Sequence, residues 1–315
     1  MPRSGETAYE DRKKKDSLKD KYCLENDLLK MEVDSFGAEL KSVYGKTTKR
    51  EYMWQADPAY WNRTSPILFP FVGSVVNDKY TFEGQEYAIG QHGFARDSEF
   101  SCDSQSDTDI LFSLQDDEKT KEKYPFNFSL QVGYILDGMS LEVVWRVLNP
   151  GQDRENQKLY FSIGGHPAFN CPINADESKE GYKLYFEGAT ELHHHGNLNG
   201  TCTREDIVLP LEANRAVITK DFFDRSTYMV ENNQTGLVAL ETPDGKPYIT
   251  VEFDAPLFGV WSPVGKNAPF VCIEPWYGRA DYDDFDGDLT TREYGNELDE
   301  KQVWQKSYMI TFGLV

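Results

Sequence analysis

The sequence contains few cysteines and no long apolar run. Its five cysteines stand singly, without a Cys-x-x-Cys pair among them. The first 22 residues are polar and charged, and they lack the apolar segment of a signal peptide. An odd number of dispersed cysteines in such a chain predicts reduced thiols and a cytoplasmic location. Because no apolar run approaches the ~20 residues that span a bilayer, we expect no membrane partner.

Basic residues are scarce relative to acidic ones. The chain has 33 lysines and arginines against 53 aspartates and glutamates, which gives a net charge of −20 at pH 7. Nucleic acids and anionic membranes are bound by basic surfaces, so this balance argues against both as partners. The sequence also lacks a Walker-type loop and a Gly-x-Gly-x-x-Gly turn after a strand, which argues against nucleotide chemistry.

Domain linkers are missing as well. The chain has no Gly/Ser-rich or Pro-rich linker and no repeat of fixed period. We therefore predict one domain over residues 23–315, preceded by a charged, flexible extension at residues 1–22.

Helical periodicity is rare, whereas short alternating runs of β-branched and aromatic residues are frequent. Residues 126–134 alternate for nine positions, and Asp137-Gly138 then offers a tight turn into residues 140–147. Asp-Gly tolerates the positive φ that such turns need, so this pattern predicts a hairpin. The same reasoning predicts a second hairpin within residues 236–253.

Many short strands in succession predict an all-β fold. We expect a large antiparallel β-sandwich with few short helices. One such helix is predicted at residues 116–123, where charged helix formers precede Tyr124-Pro125.

Three short motifs contain the residues best suited to chemistry. They are residues 91–96 (Gln-His-Gly-Phe-Ala-Arg), 164–169 (Gly-Gly-His-Pro-Ala-Phe) and 272–278 (Cys-Ile-Glu-Pro-Trp-Tyr-Gly). Each places one titratable residue, His92, His166 or Glu274, beside glycine, proline or aromatic neighbours, as in a rigid and partly dry pocket. Two imidazoles and one carboxylate are sufficient to move protons at neutral pH.

Each of these residues also has a structural interpretation. A lone histidine is commonly structural, and Glu274 could form a surface ion pair. Glycine beside both histidines, however, lets the backbone approach a ligand closely. Glu274 ends an apolar run and precedes Pro275-Trp276, so we expect a partly desolvated carboxylate whose pKa is raised toward that of a useful base.

The order of these motifs resembles the aldose 1-epimerase (galactose mutarotase-like) family. Residues 62–73 (Asn-Arg-Thr-Ser-Pro-Ile-Leu-Phe-Pro-Phe-Val-Gly) and 259–263 (Gly-Val-Trp-Ser-Pro) extend the similarity, which covers residues 25–315. It is closest to the mutarotase-like proteins of bacterial lactose-type operons. The resemblance implies a β-supersandwich that interconverts the α and β anomers of an aldose.

The resemblance also implies roles for individual residues. Glu274 matches the catalytic base and His166 the catalytic acid. His92 and Arg63 match residues that position the sugar. Arg96 resembles an arginine that binds phosphate in the hexose-6-phosphate 1-epimerase branch, although it could instead pair with Asp97 or another surface carboxylate.

Some assignments stay open. The sugar-binding aspartate of the family has two candidates, Asp224 and Asp254. Trp261, Trp276 and Phe94 could stack on the apolar face of a sugar or pack in the core.

The reaction requires no metal or cofactor. Opening a cyclic hemiacetal removes a proton from the C1 hydroxyl and adds one to the ring oxygen, which a base and an acid on opposite sides of the ring provide. Residues 193–195 (His-His-His) could bind a metal, but no second set of ligand residues stands nearby in the sequence. Residues 283–288 partly resemble a calcium-binding loop, but Tyr282, just before them, stands where such a loop has its first aspartate. We expect both segments to be solvated loops without a metal.

The sequence therefore predicts a cofactor-independent aldose 1-epimerase, an isomerase that acts on a hexose or a related aldose. Two alternatives remain. One is a hexose-6-phosphate 1-epimerase with the same mechanism, and the other is a non-catalytic carbohydrate-binding sandwich that retains the pocket.

Overall fold

The computed structural model of the chain describes residues 21–154, 157–174, 176–198, 200–225 and 227–315. The extension predicted for residues 1–22 lies outside these ranges, except for Lys21 and Tyr22, which begin the first strand. None of the helices in the described ranges is long and apolar enough to cross a membrane.

Strands dominate the described residues. In chain order they are β1 (Lys21–Glu25), β2 (Leu29–Asp34), β3 (Glu39–Gly45), β4 (Arg50–Glu51), β5 (Ile67–Leu68), β6 (Lys79–Phe82), β7 (Gln85–Ala88), β8 (Ser101–Gln105), β9 (Asp109–Gln115), β10 (Ser129–Asp137), β11 (Ser140–Leu148), β12 (Leu159–Phe161) and β13 (Ile163–Gly165). They continue with β14 (Ala168–Asn170), β15 (Lys183–Phe186), β16 (Glu191–Leu198), β17 (Thr201–Pro210), β18 (Arg215–Val217), β19 (Tyr228–Val230), β20 (Leu237–Glu241), β21 (Pro247–Phe253), β22 (Leu257–Trp261), β23 (Phe270–Tyr277), β24 (Asn296–Leu298) and β25 (Val303–Phe312).

Helical structure is confined to short segments. The described residues contain one α-helical turn, α1 (Glu118–Lys121), and three 3₁₀ turns at Val76–Asp78, Ala95–Asp97 and Leu289–Thr291. The side chain of Asp117 caps α1 by accepting a hydrogen bond from the backbone N–H of Thr120 at 2.7 Å. The helix predicted at residues 116–123 is therefore present but shorter than expected.

Two large sheets form the sandwich. The nine-stranded sheet has the order β18-β15-β20-β21-β25-β11-β10-β9-β8, and the eight-stranded sheet has the order β17-β16-β19-β22-β23-β13-β5, with β14 also paired to β23. Neighbouring strands within both sheets are antiparallel. Three smaller sheets, β1-β2-β3-β4, β12-β24 and β6-β7, lie beside them. The predicted all-β antiparallel sandwich is confirmed.

Aromatic side chains join the two large sheets. Trp145 on β11 meets Tyr277 on β23 with ring centroids 6.4 Å apart, and Phe253 on β21 meets Phe258 on β22 at 5.4 Å. All four side chains are buried. Burial of a large apolar side chain contributes about 1.5–3 kcal/mol, so this layer of rings stabilises the packing of one sheet on the other.

Both predicted hairpins are present. β10 and β11 pair from Ser129–Leu148 to Asp137–Ser140, and Gly138 in the turn has φ of +55°. β20 and β21 pair in the same antiparallel manner. Alternate residues of β10 are buried in the core, as the period of two in the sequence predicts.

β23 is the strand that positions the candidate site. All eight of its residues are buried, because it lies inside the eight-stranded sheet and is covered on both faces. Val271, Ile273 and Tyr277 belong to the main core between the two large sheets. The strand alternates, so Cys272, Glu274 and Trp276 face the opposite side.

Candidate active site

His166 and Glu274 lie opposite each other across two paired strands. β13 pairs with β23 through Gly164 and Trp276, and β14 pairs with the same strand through Ala168 and Cys272. His166 lies between these two pairings, at the position that faces Glu274. Its Nε2 atom is 3.3 Å from Oε2 of Glu274. Both residues are buried, with relative exposures of 7% for His166 and 1% for Glu274.

Aromatic rings fix the imidazole of His166. Trp61 stacks on it with ring centroids 4.7 Å apart and planes at 31°, and Trp261 meets it edge-on at 5.4 Å. The backbone N–H of His166 donates to the carbonyl oxygen of Pro66 at 3.2 Å. The ring is thereby restricted in position before any ligand binds.

His92 is held by the backbone of Gly73. The N–H of His92 donates to the Gly73 carbonyl at 2.8 Å, and the N–H of Gly73 donates to Nδ1 of His92 at 3.0 Å. Because Nδ1 is an acceptor, this hydrogen bond assigns the proton of the neutral imidazole to Nε2. His92 has φ of +64°, and its ring lies 5.7 Å from that of His166.

Burial controls the protonation of these three groups. It lowers the pKa of His92 well below its usual range, and the charge of Arg96 adds to that effect. Burial, again with a smaller contribution from Arg96, lowers the pKa of His166 to about 3. Burial also raises the pKa of Glu274 well above its usual range. All three shifts favour the neutral form.

Several polar atoms of the pair have no hydrogen-bond partner among the described residues. They are Oε1 and Oε2 of Glu274 and Nδ1 of His166. An unsatisfied buried polar group costs about 1–3 kcal/mol, so such atoms are rare in cores and common where a ligand binds.

A cavity of about 220 Å³ opens onto the pair. His92, His166, Arg96, Trp261, Trp276 and Glu274 all line it. Among the described lining residues Glu274 is the one carboxylate. The volume is below the range of about 300–1,000 Å³ that holds drug-sized molecules, so a small ligand fits it. Six of the ten candidate residues named from the sequence therefore surround one cavity.

The two predicted arginines share one carboxylate. Arg63 contacts Asp97 at 2.8 Å, while Nε of Arg96 is 3.7 Å from the same side chain. Arg96 also donates to the carbonyl oxygen of Gln91 at 2.6 Å. Burial lowers the pKa of Arg96 to about 10, which leaves it charged at neutral pH. Arg63 lies behind Arg96, donates to its carbonyl oxygen at 3.3 Å, and does not line the cavity.

Neither candidate aspartate lines the cavity. Asp224 is exposed, in a turn that follows β18. Asp254 lies just beyond β21, where it accepts hydrogen bonds from Lys306 at 2.6 Å and from the hydroxyl of Tyr277. Phe94, the third aromatic candidate, instead packs in the core against Phe69 and Phe128.

Other cavity residues escaped the sequence reasoning. Trp61, Gln91, Asn197, Gly200 and Thr227 also line the cavity. Trp61 directly precedes the Asn-Arg-Thr-Ser motif at residues 62–65. This position next to the motif is the feature of the sequence that could have identified Trp61 as a cavity residue. Gln91 begins the motif at residues 91–96, directly before His92. Asn197 and Thr227 come from a hairpin end and a loop, where no local pattern marks them.

The two segments considered above as metal sites were residues 193–195 and residues 283–288. Among the described residues, neither belongs to a group of three metal-ligating side chains. His193 on β16 is exposed and pairs with Asp206 at 3.0 Å across the β16–β17 hairpin. The tract of three histidines is thus part of a strand and not the loop that the sequence predicted.

The chain resembles known proteins over most of its length. A family model for aldose 1-epimerase matches residues 20–282. Protein LacX, encoded on a plasmid of Lactococcus lactis subsp. lactis, is 31% identical over 306 residues, which cover 91% of this chain and 98% of LacX.

Solved structures show the same similarity. A galactose mutarotase related enzyme from Lactobacillus acidophilus superposes with a TM-score of 0.87 at 34% identity, covering 93% of this chain and 97% of that chain. A galactose mutarotase-like protein from Lactobacillus casei gives a TM-score of 0.83 at 30% identity, covering 93% and 100% of the two chains.

Proposed function

Because this chain belongs to the aldose 1-epimerase family, we propose that it interconverts the α and β anomers of a hexose or a related small aldose. Glu274 acts as the base and His166 as the acid. The observation that carries the proposal is the buried His166–Glu274 pair, 3.3 Å apart at the wall of a small cavity.

The spacing of the pair defines how a sugar would sit. A separation of 3.3 Å leaves no room for a sugar ring between the two groups. In this proposal the acid and the base therefore act from one side of the ring, whereas the sequence predicted them on opposite sides. The C1 hydroxyl oxygen and the ring oxygen are both bonded to C1. Two adjacent groups on one side can therefore reach both oxygens.

Besides the N–H proton of the neutral imidazole, the pair must hold one further proton that can move between Glu274 and His166. Burial favours neutral groups, so before a sugar binds that proton resides on Glu274. Transfer to His166 across the short gap produces a carboxylate and an imidazolium, which the hydroxyls of a bound sugar stabilise by hydrogen bonds.

Ring opening then follows. Glu274 removes the proton from the C1 hydroxyl while His166 protonates the ring oxygen, and the bond between C1 and the ring oxygen breaks to give the open-chain aldehyde. Rotation about the C1–C2 bond presents the other face of the carbonyl. Ring closure reverses both proton transfers, so the reaction has no net proton change. Each group contributes about 10²–10⁴-fold to the rate.

The other cavity residues bind the sugar in this proposal. His92 donates from Nε2 to a sugar oxygen, and Arg96 donates from its guanidinium. Trp261 and Trp276 cover the apolar C–H face of the ring, since a sugar face packs favourably on an indole.

A second candidate substrate is a hexose 6-phosphate. The observation in its favour is the charged guanidinium of Arg96 at the cavity wall, since an arginine binds phosphate well. Asp97 partly neutralises this charge, which leaves the unphosphorylated sugar as the first choice.

Anomer exchange measured by NMR magnetisation transfer tests the proposal. Glucose, galactose and their 6-phosphates are compared with wild-type protein and with Glu274→Gln. We expect faster exchange of at least one sugar with the wild type and not with the variant. Unchanged exchange for all four sugars, with tight binding seen by tryptophan fluorescence, would support a carbohydrate-binding protein and reject the enzyme.

A further inference from the structure

Three buried side chains of metal-ligating type meet at the catalytic pair. A nitrogen of His166, Sγ of Cys272 and a carboxylate oxygen of Glu274 all lie within 4.8 Å of one another. Cys272 and Glu274 are two residues apart on β23, so the alternation of the strand places them on the same face. Within the part of the chain that the structure describes, no second group of this kind occurs.

Two members of the cluster, His166 and Glu274, line the cavity. Neither carboxylate oxygen of Glu274 has a hydrogen-bond partner among the described residues, and Nδ1 of His166 has none either. Both side chains are more than nine-tenths buried. Buried polar groups of a purely structural core are normally paired, so these atoms indicate a site that binds something.

We propose that His166, Cys272 and Glu274 form a binding site for a borderline-soft divalent cation, with Zn²⁺ as the type case, and that the bound ion excludes the sugar. The ligands would be an imidazole nitrogen, a thiolate and a carboxylate. This set suits Zn²⁺, whereas Mg²⁺ and Ca²⁺ prefer oxygen ligands alone.

The distances fit such an ion after a small inward movement. Zn–N and Zn–S bonds of about 2.0 and 2.3 Å at tetrahedral angles place neighbouring ligand atoms about 3.3–3.8 Å apart. The His166–Glu274 separation of 3.3 Å is already in this range. A single sulfur beside nitrogen or oxygen ligands belongs at about 3.5 Å from them, so the Cys272 sulfur must approach by up to about 1.3 Å from the 4.8 Å limit.

Charge also favours the ion. A thiolate and a carboxylate together neutralise a divalent cation, so the buried site would gain no net charge. This matters because the guanidiniums of Arg96 and Arg63 are near enough to influence His166. Without the thiolate, the carboxylate alone would leave the bound ion with one uncompensated positive charge, buried near the positive charges of Arg96 and Arg63.

Competition with the sugar rests on the proposed function, whereas binding of the ion does not. The reaction uses the same atoms of His166 and Glu274 that would hold the ion. Zn²⁺ should therefore raise the apparent KM for the sugar. This makes the site an inhibitory one, distinct from a resident cofactor site.

A cobalt titration tests the binding directly. Co²⁺ replaces Zn²⁺ in such sites, and a thiolate ligand gives a charge-transfer absorption in the near ultraviolet. We expect this band with the wild type and its loss in Cys272→Ala. Cys171→Ala is the matched control, because Cys171 is equally buried but belongs to no ligand cluster among the described residues. A missing band in the wild type, or a band that persists in Cys272→Ala, would overturn the proposal.

A third variant distinguishes binding at the protein surface. His193 is exposed and lies near Asp206 and Glu191, so it is the natural competitor for added metal. Because this surface set contains no thiolate, cobalt bound there gives no charge-transfer band, and we expect His193→Ala to retain the band of the wild type. A band that is lost in this variant would overturn the proposal.

Inhibition provides the second readout. We expect Zn²⁺ to raise the apparent KM of the wild type and of Cys171→Ala, and the inhibition constant to weaken at least tenfold in Cys272→Ala. Equal inhibition of all three proteins would overturn the proposal. If no sugar proves to be a substrate, the cobalt titration still decides whether the ion binds, so failure of the proposed function is distinguishable.

Discussion

The indole ring of Trp276 lies across the backbone of Gly259 on the neighbouring strand. A Cβ atom at residue 259 would collide with the six-membered ring. Gly164, on the other side, would place a Cβ 2.6 Å from Cδ1 of the same indole. The indole of Trp276 therefore fits only because residues 164 and 259 have no side chain. Trp276 in turn lines the cavity beside Glu274.

Gly259→Ala is expected to displace the indole. The methyl group cannot fit, so Trp276 must shift toward the cavity, and we expect kcat/KM to fall about tenfold or more while the melting temperature drops. Gly133→Ala is the matched control, because its Cβ would make only ordinary contacts at 3.5 Å or more. Sugar kinetics and thermal melts of both variants check this. Equal behaviour of the two would contradict the role of Gly259.

His166→Asn is expected to lower kcat about 10²–10⁴-fold, because asparagine cannot donate a proton to the ring oxygen. Sugar binding should change much less, since the cavity wall is preserved. His194→Asn serves as the control, because His194 is also buried but packs against Tyr228 outside the cavity. Magnetisation transfer gives the rates, and a variant as fast as the wild type would remove His166 from the mechanism.

Arg96→Ala separates the two candidate substrates. If a 6-phosphate is the substrate, loss of charge-assisted hydrogen bonds worth about 1.5–3 kcal/mol should raise KM for it at least tenfold. KM for the free sugar should then change little. Arg96→Lys should recover part of the phosphate binding. An equal rise of KM for both sugars would show that Arg96 contacts the ring, and would count against the phosphorylated substrate.

Glu39 is expected to stabilise the segment that leads into the site. Its Oε1 atom accepts hydrogen bonds from the backbone N–H groups of Thr64 at 2.6 Å and Ser65 at 3.1 Å. The carbonyl of Thr64 in turn accepts from Ala168, the first residue of β14. Glu39→Ala leaves two buried N–H groups unpaired, each at about 1–3 kcal/mol.

Chemical denaturation measures this effect. Glu39→Gln retains an oxygen acceptor, so we expect it to lose clearly less stability than Glu39→Ala. Identical losses in the two variants would mean that the hydrogen bonds from Thr64 and Ser65 contribute little. The comparison isolates the acceptor, because both variants remove the same negative charge.

Local patterns were sufficient to predict the fold class. The Asp137-Gly138 turn and the alternation on either side of it need no information beyond about twenty residues, and the hairpin forms as predicted. The family resemblance is confirmed as well. A cytoplasmic location and the absence of a nucleic-acid partner stay predictions.

The assembly of the site depends on long-range pairing. His166 faces Glu274 because β13 and β14, the strands on either side of His166, both pair with β23. β23 lies about a hundred residues later in the chain than β13 and β14. No local periodicity encodes this register. Asn197 and Thr227 enter the cavity for the same reason, and Asp224 stays outside it, so residue type alone could not assign a sugar-binding aspartate.

The burial of β23 has a consequence for how this protein can diverge. Glu274 belongs to a strand whose eight residues are all buried, so a change there disturbs the core as well as the chemistry. Gln91, Asn197 and Thr227 reach the cavity from loops and a hairpin tip, where substitutions cost little stability. Under the proposed function, reactivity and sugar preference therefore depend on separate parts of the chain.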